Sequence, residues 1–187
     1  EMWVVLEAEE DAKLVYGFNQ EVSKDEIAQI IQENRLEEVL NYVKVQKGDV
    51  FLIEPGTVHA IGKGIVIAEI QQSSNVTYRI YDYGRIGVDG KPRMLHIDKA
   101  LEVMNLKRME SNKIEYNTED YKDYTKGKII ECKYFTVEQI GIKEKVQLET
   151  TKESFQVILL LDGELHIQSK TEDLVVKKGE CVFIPAC

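Results

Sequence analysis

The sequence contains few of the features that mark secreted or membrane-spanning proteins. Its 187 residues include three cysteines, Cys132, Cys181 and Cys187, and no two of them form a CxxC pair. An odd number of cysteines without paired spacing argues against a disulfide framework and indicates a reducing, cytoplasmic location. No signal peptide and no apolar run of transmembrane length is visible, so we expect no membrane partner.

Positive charge is also sparse. The chain has 24 Lys and Arg against 33 Asp and Glu, which gives a formal net charge of −9, and no basic run is concentrated in one place. Because nucleic acids and anionic membranes attract cationic surfaces, this balance argues against both as partners. The length suits one large or two small domains with a sizeable core.

Hydrophobic spacing predicts a mostly β chain with one helical insertion. Residues 2–18 alternate loosely around an acidic break, which predicts two strands. Ser23 and Glu26 resemble a capping box, and the apolar spacing that follows predicts a helix over about residues 24–43, or two helices broken near Asn34. Strand character returns in four short segments, at residues 43–45, 50–53, 65–70 and 76–83.

A faint internal repeat indicates two related β lobes. KGDVFLIEP at residues 47–55 matches KGECVFIP at residues 178–185, and chance rarely places Lys-Gly-acid, an apolar strand and Pro together twice. We therefore predict a first lobe over residues 1–106, a polar connector over 107–127 and a second β lobe over 128–187. Both ends of the chain lie beside strand-like runs, so we expect the second lobe to be truncated and further residues on both sides.

One stretch, residues 48–79, combines these strands with chemically useful side chains. GDVFLIEPGTVHAIGKGIVIAEIQQSSNVTYR places His59 just after a turn, where a neutral imidazole nitrogen can bind a metal. A lone His is more often structural, and His96 and His166, which lack such a context, are interpreted in that way. The surrounding motif favours the ligand interpretation for His59.

The motif Gly-Asp, strand, Pro-Gly-x-x-His resembles the second motif of the cupin superfamily, whose double-sheet β-barrel commonly holds a metal. Together, GDVFLIEPGTVHAIGKG, IAEIQQSSNVTYRIYDYGR and LHIDKALEVMN resemble the short bacterial form of type I mannose-6-phosphate isomerase. The similarity is strong over residues 1–106 and looser to Cys187. It implies a cupin-type jelly roll with a helical insertion and a second cupin-like lobe.

The resemblance also implies zinc and a hexose phosphate substrate. The family interconverts mannose 6-phosphate and fructose 6-phosphate with a zinc ion held by Gln, His, Glu and a second His. Glu1 and His59 match the last two ligands, whereas the Gln-x-His pair and the Lys of a Lys-x-Glu segment are expected before Glu1. A site with two of four ligands should bind zinc weakly. The oligomeric state is left open.

Three further residues enter through the same resemblance, and Lys63 enters through its position between two glycines. Arg79 matches the active-site Arg of the family, and Glu69 matches a candidate base in some members. Aldose–ketose exchange moves a proton between C2 and C1 through an enediol, which a carboxylate can shuttle while Arg stabilises the oxyanion or grips phosphate. Asn75 stands where many relatives carry Asp, so we expect a substrate hydrogen bond there. Lys63 is a candidate for phosphate binding, with a solvated loop lysine as the ordinary alternative.

Two other functions fit the same barrel. One is a non-catalytic cupin-type module for sugar binding or regulation, which the absence of an upstream Gln-x-His pair would support. The other is a cupin metalloenzyme of a different reaction type, such as an oxygenase, which bound iron and oxygen-dependent turnover would support.

Overall fold

Strands make up most of the regular structure, as the spacing of apolar residues predicts. The computed structural model describes residues 1–111, 113–169 and 172–187. One unit of the structure comprises Glu1–Tyr116 with Ile129–Thr136, and the other comprises Asn117–Lys128 with Val137–Cys187. Within the described ranges, every helix falls short of the length and apolarity that a membrane span requires.

The first unit is built on two three-stranded antiparallel sheets. Its elements are β1 (Met2–Ala8), β2 (Lys13–Phe18), α1 (Lys24–Gln32), a 3-10 helix (Leu36–Glu38), β3 (Leu40–Lys44), β4 (Val50–Leu52), β5 (His59–Ala60), β6 (Ile65–Ile70) and α2 (Ile97–Val103). One sheet has the order β4-β1-β6 and the other has the order β3-β2-β5. The predicted double-sheet fold is therefore confirmed.

Side chains from the two sheets meet in a first core. Trp3 and Phe51 enter it from the β4-β1-β6 sheet, and Leu14, Tyr16 and Val43 enter it from the β3-β2-β5 sheet. All five are at most 6% exposed, so the inner faces of both sheets are removed from water. Burial of this apolar surface is the main force that holds the two sheets together.

Strand β2 is buried on both of its faces. Leu14 and Tyr16 belong to the first core, whereas Val15 and Phe18 belong to a second core that includes Ile27 of α1. Successive side chains of a strand point to opposite faces, and a register shift between Val15 and Phe18 puts Phe18 on the same face as Val15. The second core therefore covers the outer face of the β3-β2-β5 sheet. The helical insertion thus gives β2 its second apolar partner.

The helical segment is shorter than the predicted residues 24–43. It begins with the predicted capping box, in which Glu26 N–H donates to Ser23 Oγ at 3.3 Å and Ser23 N–H donates to the Glu26 carboxylate at 2.8 Å. The break comes near Asn34, which has a φ of 57° in the left-handed region. Residues 40–44 pair with β2 as strand β3, because sheet pairing overrides their helical spacing.

Residues 76–83 were predicted as a strand, and this prediction is wrong. The segment lies outside the strands, and Ile80 anchors it by packing into the second core. Aromatic and β-branched residues favour a strand only where a partner edge pairs with them. Among the described residues, no strand pairs with residues 76–83.

The strands that the structure describes after residue 116 form one three-stranded sheet and two two-stranded sheets. They are β7 (Glu119–Asp120), β8 (Tyr124–Glu131), β9 (Thr136–Ile142), β10 (Gln156–Leu159), β11 (Glu164–Gln168), β12 (Asp173–Lys177) and β13 (Cys181–Ile184). Their sheets have the orders β7-β8-β9, β10-β13 and β11-β12. Asp162-Gly163, a pair typical of turns, directly precedes β11, and Gly163 has a φ of 79°.

The first copy of the internal repeat forms a turn that leads into β4. Gly48 N–H donates to Val5 O at 2.8 Å, and Gln46 N–H donates to the Asp49 carboxylate at 2.8 Å. Gly48 has a φ of 94°, a conformation that glycine adopts readily.

The second copy forms the same turn ahead of β13. Gly179 N–H donates to Leu160 O at 2.8 Å, and Lys177 N–H donates to the Glu180 carboxylate at 2.7 Å. Gly179 has a φ of 86°. The Lys-Gly-acid pattern therefore encodes one turn, with one set of hydrogen bonds, that occurs in both units.

The turn between β5 and β6 depends on a close backbone approach at Gly62. A Cβ atom at this position would lie 1.8 Å from Lys13 O, at the start of β2. We expect Gly62→Ala to lower the free energy of unfolding by about 1–3 kcal/mol, because the backbone has to shift. Chemical denaturation measures this change. The exposed neighbour Lys63→Ala is the control, and equal unfolding midpoints for the two variants would contradict the prediction.

Candidate active site

His59 and Glu1 meet where the two sheets of the first unit face each other. His59 lies opposite Tyr16 in the β5–β2 pair, so its ring points to the inner face of its sheet. Glu1 extends β1, and its backbone exchanges two hydrogen bonds with Ile53, at 3.0 and 2.7 Å. The side chains approach to 3.2 Å between His59 Nε2 and Glu1 Oε1.

The other ring nitrogen of His59 is anchored to the backbone. His59 Nδ1 lies 2.8 Å from Thr57 O, and because a carbonyl oxygen can only accept, Nδ1 carries a proton and donates. Histidine ligands of metals are commonly oriented by such a bond. The anchor turns Nε2 toward the Glu1 carboxylate.

This pair fits two positions of a tetrahedral metal site. Two N or O ligands, each about 2.0–2.1 Å from a zinc ion, lie about 3.3 Å apart, which is close to the 3.2 Å between His59 Nε2 and Glu1 Oε1. Within residues 1–111, 113–169 and 172–187, no group of three or more His, Cys, Asp and Glu could hold a metal. The described residues therefore offer two ligands of such a site.

A second His–Glu contact shows why the surroundings matter. His166 Nε2 lies 3.3 Å from Glu164 Oε1 on β11, but the His166 side chain is 70% exposed. The side chains of His59 and Glu1 are 40% and 18% exposed. The His166–Glu164 contact lies on the surface within one strand, whereas the His59–Glu1 contact joins two sheets.

Two buried polar atoms lie on residues that contact His59. The Trp3 ring meets the His59 ring edge-on at 5.3 Å between centroids, and Thr57 accepts the His59 hydrogen bond. Trp3 Nε1 and Thr57 Oγ1 are buried and have no hydrogen-bond partner among the described residues. An unsatisfied buried polar atom is costly unless a water molecule, an ion or a ligand pairs with it.

Tyr16 connects the two sheets beside this pair. Its hydroxyl donates to Leu52 O at 2.9 Å, and its ring packs against Phe51 at 5.7 Å between centroids. Burial raises the pKa of Tyr16, and the negative charge of Glu54 adds to the effect. The neutral phenol therefore persists as a hydrogen-bond donor between β2 and β4.

Glu69 shares a sheet face with the His59–Glu1 region. It lies opposite Trp3 in the β6–β1 pair, and antiparallel partners place their side chains on the same face. Glu1 is two residues before Trp3 and has the same orientation. The Glu69 side chain is exposed on this face, and Asn75 lies farther along the chain in an exposed segment outside the strands.

The Arg79 side chain contacts Asp82 and Met94. Its Nε lies 3.6 Å from Asp82 Oδ1, and its Nη1 donates to Met94 O at 3.4 Å. The structure therefore brings the Arg79 guanidinium group to Asp82 rather than to the His59–Glu1 pair.

Lys63 lines a separate open cavity of about 770 Å³. Tyr42, Tyr83 and Arg85 are among its other lining residues, and Glu1, His59, Glu69, Asn75 and Arg79 are absent from its wall. Of the six predicted site residues, the structure thus joins Glu1 to His59 and places Glu69 on the same face. It leaves Asn75, Arg79 and Lys63 apart from that pair.

Comparison with known proteins relates both halves of the chain to one family. Residues 125–187 match the family model of the mannose-6-phosphate isomerase cupin domain. The whole chain is 36% identical over 185 residues to the mannose-6-phosphate isomerase ManA of Bacillus subtilis (strain 168), covering 99% of this chain and 58% of the relative. It is 32% identical to the mannose-6-phosphate isomerase of Streptococcus mutans, covering 99% of this chain and 57% of that relative.

A solved structure agrees with these sequence matches. The crystal structure of the mannose 6-phosphate isomerase from Bacillus subtilis superposes with a TM-score of 0.88 at 30% identity, covering 99% of this chain and 58% of that one. This chain is similar to the cupin-type mannose-6-phosphate isomerases. The resemblance and the fold predicted from the sequence motifs are confirmed. The chain spans a little under three fifths of the length of the relatives that it matches.

Reasoning from the sequence motifs missed Trp3, Thr57 and Tyr16 as residues beside the His59–Glu1 pair. Trp3 could have been found, because a residue two positions after Glu1 on a strand shares its face. Thr57 lies in the Pro-Gly-x-x-His turn itself. Tyr16 carries no such signal, because only the pairing of β5 with β2 brings it beside His59.

Tyr81 joins the segment that contains Arg79 to the 3-10 helix through a hydrogen bond. Its hydroxyl donates to Glu37 Oε1 at 2.6 Å, and this bond raises the pKa of Tyr81 to about 12. The raised pKa means that this stabilising contribution is complete below pH about 10, where the unfolded phenol titrates, and is lost as the pH rises through about 12.

We expect Glu37→Gln to lower the pKa of Tyr81 toward its usual value of about 10, because the carboxylate charge that favours the neutral phenol is removed. Phenolate absorbance, with Tyr81→Phe as the assignment, measures the titration. The matched control is Glu38→Gln, because Glu38 pairs with Arg35 instead. A Tyr81 titration that does not move in Glu37→Gln would contradict the prediction.

Proposed function

We propose that this chain supplies part of the active site of a zinc-dependent mannose-6-phosphate isomerase, which interconverts mannose 6-phosphate and fructose 6-phosphate. The observation that carries the proposal is the 3.2 Å contact between Glu1 and His59, with His59 Nδ1 anchored on Thr57 O. The mannose-6-phosphate isomerases to which the chain is similar support the choice of reaction. The proposal includes the predicted cytoplasmic location. It also includes the predicted division of the chain into a first lobe over residues 1–106, a connector over 107–127 and a second lobe over 128–187.

Glu1 and His59 would hold the zinc ion through a carboxylate oxygen and Nε2. When bound, zinc supplies a Lewis acid that polarises the sugar oxygens without changing its oxidation state. Further ligands would have to come from outside the described residues, since these contain no larger cluster. Trp3 Nε1 and Thr57 Oγ1 add polar atoms with unused hydrogen-bonding capacity beside the pair.

The remaining predicted residues are assigned roles that match their chemistry. Glu69, an exposed carboxylate on the Trp3 face, would move the proton between C2 and C1 through the enediol. Arg79 would stabilise the developing oxyanion or bind the phosphate group. Asn75 would hydrogen-bond the sugar, and the ammonium group of Lys63 would attract the phosphate.

We expect the 187-residue chain by itself to bind zinc with a dissociation constant in the micromolar range or weaker. Two ligands should supply about half of the ~10–16 kcal/mol that complete structural sites provide. Calorimetry measures the affinity. His59→Ala should remove the binding, whereas His166→Ala, which changes the exposed His–Glu contact, should leave it unaltered. Stoichiometric tight binding of zinc by the 187-residue chain would contradict the prediction.

We expect Arg79→Ala to lower kcat for mannose 6-phosphate by about 10²–10³-fold in the native protein, because a cation that stabilises the transition state is lost. A coupled assay at saturating substrate measures the change. Arg35→Ala is the matched control, since Arg35 pairs with Glu33 and Glu38 on the surface. Unchanged turnover in Arg79→Ala would overturn its assignment. Sugar-phosphate binding without turnover in the unmutated protein would instead support the binding-module alternative.

A further inference from the structure

The backbone of Arg79 is held at both of its polar atoms, although it lies outside the strands. Arg79 N–H donates to the His96 ring at Nδ1, at 3.2 Å. His96 N–H donates back to Arg79 O at 2.7 Å. One residue, seventeen positions away, thus occupies both hydrogen-bonding groups of the Arg79 backbone.

His96 is itself fixed at the start of α2. It is the N-cap residue of Ile97–Val103, but its side chain makes no capping hydrogen bond. The ring is used on Arg79 instead. Helix α2 is attached to the second core through the buried Ala100, and Ile80, the residue after Arg79, is buried in the same core. The two ends of the Arg79–His96 contact are therefore anchored in one packed region.

The direction of the hydrogen bond determines which nitrogen of the His96 ring carries the proton. Because Arg79 N–H is the donor, Nδ1 must carry a lone pair, and a neutral ring then has its proton on Nε2. The contact therefore requires an acceptor at the Nδ1 position and not simply a ring of the right size.

The guanidinium end of Arg79 is held less tightly than its backbone. Its contacts are the Asp82 carboxylate at 3.6 Å and Met94 O at 3.4 Å. Asp82 also accepts a hydrogen bond from Arg93 Nε at 2.7 Å, which holds the pKa of Asp82 below its usual range. The fixed backbone thus determines where the Arg79 side chain begins, and Asp82 provides one charged contact farther out.

We propose that His96 is a positioning residue for Arg79, which it holds through the two backbone hydrogen bonds. The inference rests on the role of Arg79 in the proposed isomerase. His96 does not itself touch the reacting atoms. It fixes the backbone from which the Arg79 side chain extends, and misplacement by about 1 Å of a group that acts on the reacting atoms costs on the order of 10²-fold in rate.

The test compares three substitutions at one position in the native protein. His96→Asn keeps an acceptor oxygen close to the Nδ1 position, His96→Gln moves the oxygen toward the Nε2 position, and His96→Leu removes the acceptor. Two quantities are measured: kcat and KM for mannose 6-phosphate, and the protection of the Arg79 backbone amide against hydrogen exchange by NMR.

We expect His96→Leu and His96→Gln to lose the amide protection and to lower kcat by about 10–100-fold, with His96→Asn retaining most of both. If His96→Leu does not fold, His96→Gln still tests the positioning role, because it also moves the acceptor away from the Nδ1 position. Full kcat in the Leu or Gln variant, or equal losses in the Asn and Gln variants, would overturn the positioning role.

The outcome of Arg79→Ala separates this inference from the proposed function. An inactive Arg79→Ala together with a fully active His96→Gln overturns the inference and leaves the isomerase assignment intact. A fully active Arg79→Ala overturns the catalytic assignment of Arg79, and the positioning role of His96 falls with it. Loss of Arg79 amide protection in His96→Gln would then show that the Arg79–His96 hydrogen bond has a structural role and no role in turnover.

Discussion

The burial of β2 on both faces is the constraint on which the first unit depends. Leu14 and Tyr16 pack inward against the other sheet, and Val15 and Phe18 pack outward against the helices. A strand buried on both sides specifies its register strongly, because a shift by one residue would exchange the two sets of side chains. Since β5 pairs with β2, this register also decides that His59 points inward.

The candidate site follows from the meeting of two sheets, each of which supplies one partner. Glu1 is held by Ile53 at the edge of one sheet, and His59 is held by Thr57 and by the pairing with β2 in the other. Tyr16 connects the sheets next to this contact through Leu52. Arg79 is held differently, by His96 and the second core, so the proposed catalytic groups depend on both cores of the unit.

Local patterns predicted those features that short stretches of sequence control. The capping box at Ser23 forms as predicted, and the repeated Lys-Gly-acid pattern forms the same turn twice, because the capping hydrogen bonds and the Gln46–Asp49 and Lys177–Glu180 hydrogen bonds join near neighbours. The strand predicted at residues 76–83 and the helix predicted to continue to residue 43 were wrong. Residues 40–44 form strand β3 because β2 pairs with them, whereas residues 76–83 have no strand partner among the described residues.

The amino-acid sequence by itself determined the β-rich class, the repeated turn and the presence of a His after a Pro-Gly turn, because each depends on residue types and short spacings. Tertiary structure alone decided that His59 faces Glu1, fifty-eight positions earlier, that Tyr16 lies beside them, and that His96 holds Arg79. These contacts join distant segments. Their geometry depends on sheet register and on the packing of two cores, which no local pattern encodes.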